Sequence, residues 1–298
     1  MVVDVMRTTE PPGTAAAYLA TRPGFVDVGT AEIAYRTFGD GPPVVFLHGW
    51  PLSGFTYRKI LPRLAERFTC IVVDLPGAGE TRWREGNDFM FQGQAANVAR
   101  FIERLGLGRV DVVAHDTGGT IARALALRAG DRVGKLALIG TEIPGHRPPW
   151  IPLFQRLAAL PGTMASFRLL MRLEPFVRSS MGFGNCFFDR SLLGGEFADA
   201  FVRPLVESPA RLDGQLRYLR GIDWALVDAL AERHREIASP VLFIWGAEDR
   251  IFPVERARRM VPQLRDCRGF HAIPGARLFV HEERPDDVAA HLLAFLSS

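Results

Sequence analysis

Asp116 sits in the middle of Ala114-His115-Asp116-Thr117-Gly118, a reactive side chain with a small residue two positions away on either side. The surrounding stretch, Val110 to Leu127, runs from an apolar strand pattern through this turn straight into a helical pattern. Small flanking residues are what a tight strand-to-helix turn requires, and the side chain at its apex is presented outward. Most turns of this kind carry serine, which needs a base to become a nucleophile. A free aspartate has a pKa of about 3.9, so at neutral pH it attacks unaided and forms an ester. Aspartate also caps helices well, but a cap alone leaves the paired small residues unexplained.

The elements that must position Asp116 alternate along the chain. Phe25 to Val28 and Ile33 to Phe38 read as an antiparallel hairpin at a sheet edge, after a stretch from Met1 to about Arg22 with no clear period. Pro43 to Leu47, Cys70 to Val73, Val110 to Ala114, Leu136 to Ile139, Pro240 to Trp245 and Gly269 to Ile273 are short apolar runs suited to buried strands. Helical patterns fall between them at about Tyr57 to Arg67, Gln92 to Leu105, Val254 to Leu264 and Pro285 to Phe295. This alternation predicts an α/β fold with a mostly parallel central sheet, flanking helices and right-handed crossovers.

The interval 144–238 breaks the alternation, opening with Pro144, Pro148, Pro149 and Pro152 and continuing in helix-like stretches rich in Leu, Phe, Met and Arg. It reads as a helical cap inserted into a core formed by 1–143 and 239–298. Ligands of open α/β sheets bind at the carboxyl ends of the strands, so an insertion after Ile139 is expected to roof Asp116.

At 298 residues and 48% apolar content, the chain can bury one large core and carry such an insertion. A net charge of +3 with scattered arginines argues against nucleic acid or an anionic membrane as partner. Cys70, Cys186 and Cys267 are odd in number and widely spaced, which fits buried thiols and neither a disulfide framework nor a zinc cluster. The first residues do not read as a signal peptide, and no window approaches the roughly 20 apolar residues of a membrane span. These features predict a soluble cytoplasmic protein, monomer or homodimer, without metal or cofactor, acting on a small hydrophobic molecule.

Four ordered motifs, His48-Gly49-Trp50-Pro51, Asp74-Leu75-Pro76-Gly77-Ala78-Gly79, His115-Asp116-Thr117-Gly118-Gly119 and Gly246-Ala247-Glu248-Asp249, resemble those of the α/β-hydrolase superfamily. With aspartate at the turn, the resemblance is to its epoxide hydrolase and haloalkane dehalogenase branch. It implies Asp116 as nucleophile, an oxyanion hole made by the backbone N–H groups of Trp50 and Thr117, and Asp249 as the acid that orients a histidine. His48 and Pro51 are expected to shape their loop, with the Trp50 ring lining the pocket. Glu142 stands where some relatives place a substitute acid and ranks behind Asp249.

The sequence departs from that pattern at the histidine. The family's closing Gly-His-Phe aligns with Arg277-Leu278-Phe279, so Leu278 stands where the base belongs, and His281 is the nearby candidate. A helical turn from Leu278 to His281 would place the two on one face; the alternative is a surface histidine beside Glu282 and Glu283. His115, His146, His234, His271 and His291 are expected to be structural. Thr117 stands where dehalogenases often carry a halide-binding tryptophan and fluoroacetate-type enzymes a carboxylate-binding arginine, which weakens both dehalogenase expectations. Tyr218, in Leu216-Arg217-Tyr218-Leu219-Arg220, matches the cap tyrosines with which epoxide hydrolases protonate the epoxide oxygen, although a second is missing. The expected activity is opening of an epoxide, or a related carbon–heteroatom bond, through an Asp116 ester. The competing expectation, which Leu278 supports, is a non-hydrolytic enzyme or binding protein on the same scaffold.

Overall fold

The computed structural model describes residues 15–298. Part of the stretch expected to be irregular therefore lies outside the described residues; within it, Ala15–Ala20 is a short helix. The strands are β1 (Gly24–Asp27), β2 (Ala31–Phe38), β3 (Pro43–Leu47), β4 (Thr69–Val73), β5 (Arg82–Trp83), β6 (Val110–His115), β7 (Val133–Ile139), β8 (Val241–Gly246) and β9 (Cys267–Ile273). They form one sheet in the order β1-β2-β4-β3-β6-β7-β8-β9, with β5 added to β2. The pairings of β2 with β1, β4 and β5 are antiparallel, and those from β4 to β9 are parallel, as the alternation predicts.

Register decides where the chemistry gathers. Leu47 of β3 pairs with both Val73 and Ala114, His115 of β6 with Ile139, and Ile139 of β7 with Ile244. The carboxyl ends of these strands are thus level, and the turns after them share one edge of the sheet. Every residue of β8 is buried, as expected for a continuous apolar run with helices on both faces.

Two helices are shorter than their patterns suggest. The first resolves into a 3₁₀ turn, Gly54–Tyr57, and a helix over Leu61–Leu64 that starts around Pro62. The second is helical over Val254–Ala257 and 3₁₀ over Arg258–Gln263, where Pro262 has no N–H to donate. Between β7 and β8 the longer helices are Trp150–Ala158, Thr163–Arg172, Pro209–Arg220 and Trp224–Arg233, with shorter turns and no strand. No helix among the described residues is long and apolar enough to cross a membrane.

Candidate active site

Asp116 caps the passage from β6 into the helix Thr117–Arg128 with φ 51° and ψ −128°, the one non-glycine residue at positive φ among the described residues. Such a conformation costs of order 1–3 kcal/mol and persists only where its surroundings hold it. Here the Asp116 N–H donates to Gly140 O at 2.9 Å and Ile139 O at 3.2 Å, while its carbonyl accepts from Gly119 N–H and Thr141 Oγ1, each at 2.8 Å. The requirement for a small residue at 118 is steric: a Cβ there would collide with the carbonyl oxygens of Leu47 and His48.

The Asp116 carboxyl faces two backbone donors. Oδ2 accepts from the Trp50 N–H at 2.9 Å, and the adjacent Thr117 N–H also favours the charged carboxylate. The loop carrying Trp50 is held by His48, which is fully buried and whose Nε2 accepts from Leu75 N–H at 3.0 Å; its Nδ1 therefore carries the hydrogen and donates to Gly49 O at 2.9 Å. The Trp50 ring lines the cavity, with its Nε1–H donating to Gln215 O at 2.9 Å.

The expectation of an aspartate freely ionised at neutral pH needs correction. Burial holds the Asp116 carboxyl well above the usual carboxylate range, and the neighbouring Glu142 and, more weakly, Asp249 add to the rise against the two amide hydrogen bonds. Glu142 is itself raised by burial. Its Oε2 accepts from Thr120 Oγ1 at 2.6 Å and lies 3.1 Å from Thr141 Oγ1, whose proton goes to the nearer Asp116 carbonyl. Behind these hydroxyls lies Arg123, fully buried, whose Nη2 donates to Thr120 Oγ1, Thr141 Oγ1 and Glu142 O at 2.8, 3.0 and 2.9 Å. Arg123 was not among the expected site residues. A lone arginine inside Thr120-Ile121-Ala122-Arg123-Ala124-Leu125 was the available signal, because a charge on an apolar helix face needs partners.

Asp249 follows β8, as expected. Its Oδ1 accepts from Ile251 N–H at 2.7 Å and Phe252 N–H at 3.0 Å, while Oδ2 is buried without a partner. Burial pushes this carboxyl up to about 7. The orphan oxygen lies 3.8 Å from the point a Cβ on Gly140 would occupy, and the Cδ1 of Leu278 lies 3.3 Å from that same point. The apolar Leu278 side chain and the unpartnered Asp249 oxygen thus both border Gly140.

His281 does not fill the gap. It is fully buried, its Nε2 is bonded to Thr56 Oγ1 at 2.7 Å, its Nδ1 has no partner, and its ring packs on Tyr57 and His115. It makes no hydrogen bond to Asp116 or Asp249 and is absent from the cavity wall. Both expectations for it, base and surface histidine, are corrected. Helix geometry begins only at Val280, after Phe279 at ψ 48°, so Leu278 and His281 do not stack on one helical face. Burial and the nearby Arg58 and Lys59 push its imidazole down to about 3.

Tyr218 is also displaced from its expected role. Its hydroxyl bonds Thr117 Oγ1 at 2.9 Å, its ring packs near His48, and it is fully buried outside the cavity wall. It braces the turn and presents no hydroxyl to a substrate. The other histidines are held in structural contacts: His115 to Leu278 O, His146 to Ile251 O, His234 to Gln263, and His271 stacked on His291.

The cavity above Asp116 measures about 100 Å³. Asp116, Thr117, Glu142 and Leu278 form its floor and sides, and Trp150, Phe154, Phe167, Met171, Leu216 and Trp224 from the helices between β7 and β8 close it. Among the described residues, no cluster of His, Cys, Asp and Glu is arranged to hold a metal ion. The arrangement offers an apolar chamber, the Asp116 carboxyl on the Trp50 amide, and a second carboxyl, Glu142, on the same cavity wall.

Residues 42–285 match a family described as the alpha/beta hydrolase fold. The chain is 28% identical over 281 residues to a protein named haloalkane dehalogenase 2 of Mycobacterium tuberculosis, covering 90% of this chain and 92% of that protein. It is 39% identical over 111 residues to the soluble epoxide hydrolase of Corynebacterium sp. strain C12, 37% of this chain and 38% of that enzyme. Among solved structures, the epoxide hydrolase CorEH superposes with a TM-score of 0.78 at 22% identity, covering 93% of this chain and 98% of that one. With the level strand ends, the strained aspartate turn and the family match in agreement, this chain belongs to the alpha/beta hydrolase fold family.

Proposed function

We propose that the protein is a hydrolase that opens a small hydrophobic epoxide, or cleaves a related carbon–heteroatom bond, through an ester on Asp116. One observation carries this reading: Asp116 is held at φ 51° with its carboxyl against the amides of Trp50 and Thr117. Strain of this kind at a cavity floor is retained where it serves a site. In this reading one carboxylate oxygen attacks the electrophilic carbon while the other rests on the two amides. Those amides then stabilise the oxyanion when water attacks the ester carbonyl, an interaction whose loss typically costs 10²–10³ in rate. The apolar wall selects a hydrophobic substrate and excludes bulk water, with 144–238 acting as the cap over a core of 1–143 and 239–298.

Asp116→Ala tests the reading. The variant is expected to fold, to lose turnover of 1,2-epoxybutane, and to show no mass gain after incubation with it. Full activity in Asp116→Ala ends the covalent reading.

The second reading, a non-hydrolytic protein on this scaffold, is favoured by Leu278 in place of a base and by the unpartnered Asp249 Oδ2, both bordering Gly140. It predicts an ester that forms and persists, or no reaction at all.

A further inference from the structure

We propose that Glu142 is the proton donor and acceptor of this site, taking over on the substrate side the work for which Leu278, His281 and Tyr218 are unsuited by identity or placement. The inference rests on the Asp116 ester reading and adds a second reacting group to it.

The cavity wall contains two carboxyls, Asp116 and Glu142, and no histidine or tyrosine. Thr141 fixes them relative to each other, because its hydroxyl contacts the Asp116 carbonyl at 2.8 Å and Glu142 Oε2 at 3.1 Å. The Thr120 hydroxyl donates to Oε2 at 2.6 Å, which makes it the accepting oxygen of the carboxyl, while the one Thr141 proton goes to the nearer Asp116 carbonyl. Among the described residues, no hydrogen bond from another residue reaches Oε1. Oε1 is therefore the oxygen left to carry a proton. Arg123 braces both hydroxyls and the Glu142 carbonyl from below, so the carboxyl is oriented by a buried network that belongs to the core. Two buried carboxyls in one site hold a proton between them, leaving one ionised and one protonated.

The reaction uses the form with the proton on Glu142 and Asp116 ionised; Asp116, the more strongly raised of the two, must first give up its proton to reach it. The Asp116 carboxylate attacks an epoxide carbon, the carbon–oxygen bond breaks, and the departing oxygen takes the proton of Glu142. The Glu142 carboxylate then removes a proton from water as the water oxygen adds to the Asp116 ester carbonyl, with the oxyanion on the Trp50 and Thr117 amides. Collapse breaks the ester bond, and the departing alkoxide takes the proton of the regenerated Asp116 carboxyl. Asp116 ends ionised, Glu142 ends protonated, and the net change is epoxide plus water to diol.

Intact-mass kinetics with two probes, 1,2-epoxybutane and 1-bromobutane, separate the roles. Both probes alkylate Asp116, but bromide leaves as an anion and needs no proton. In Glu142→Gln, ester formation from the bromide is expected at the native rate or faster, and ester formation from the epoxide is expected to fall about 10²–10⁴-fold, the range of general acid catalysis. The bromide-derived ester should clear from the native protein, where Glu142 first releases to solvent the proton that bromide does not take and then acts as base, and persist in Glu142→Gln. Glu142→Asp, which keeps the acid but shortens its reach, should fall between the two and covers the case in which the glutamine variant does not fold. Native rates with both probes in Glu142→Gln overturn the role of Glu142 and leave Asp116 standing. An equal loss with both probes means that Glu142 only holds Asp116 in place, and also overturns it. A native protein that neither turns over nor gains mass with either probe overturns the Asp116 ester itself.

Discussion

Leu278→His should install a second base where the structure has left an acid waiting. Leu278 is 4% exposed and lines the cavity, so the exchange removes roughly 1.5–3 kcal/mol of apolar burial. Asp249 Oδ2 is a buried oxygen without a partner, and its carboxyl is pushed from 3.8 to about 7. That rise corresponds to roughly 4 kcal/mol held against ionisation at alkaline pH. A hydrogen bond from an imidazole to this carboxylate contributes about 1.5–3 kcal/mol, which offsets the lost burial and leaves the variant close to native stability. The Asp249 carboxyl should titrate 1–3 units lower with a cationic neighbour. The readout is the decay of the bromide-derived Asp116 ester, followed by intact mass from pH 5 to 9. Decay should accelerate about 10²-fold or more above the imidazole pKa of about 6.5 and lose that gain below it, because the protonated ring accepts no proton. Adding Leu278→His to Glu142→Gln should discharge the ester that the single variant retains, and Asp249→Asn should remove most of the gain. An ester lifetime unchanged in Leu278→His at every pH refutes the reasoning that Leu278 occupies the position of the base.

Asp249→Asn should raise stability as pH increases. The folded-state pKa lies above the unfolded value, so the native carboxyl contributes stability below about pH 4 that is lost as pH rises through 7; urea titrations at pH 5 and 8 should differ less in the variant. His281→Gln should leave epoxide turnover within a few-fold of native, since His281 lies outside the cavity wall. Its imidazole, depressed to about 3, makes the native fold lose stability as pH falls from about 6.5 toward 3, and the variant should flatten that arm in thermal melts. Loss of turnover in folded His281→Gln would restore it as a catalytic base.

The sequence by itself determined the α/β alternation, the parallel strands and the turn at Asp116, because these depend on local periodicity and on which residues fit a strained backbone. Pro43 to Leu47 is a strand as read, the strand feeding Asp116 runs one residue further than read, to His115, and the small residues around Asp116 answer to contacts such as that of position 118 with Leu47 and His48. Of the three cysteines expected to be buried thiols, Cys70 and Cys186 are, while Cys267 is only half-buried. The fate of side chains at a distance was not legible. His281 is three residues from Leu278, yet a backbone that turns helical only at Val280 sends its ring to Thr56 and His115. Tyr218 has the chemistry of a proton donor, but packing from 101 residues away along the chain ties its hydroxyl to Thr117. Glu142 read as a minor acid in a proline-rich approach, because only the level ends of β6 and β7 bring it to the cavity of Asp116. Charge state belongs to the same class: a carboxyl's pKa depends on burial and on neighbouring charges, and both are properties of the folded chain.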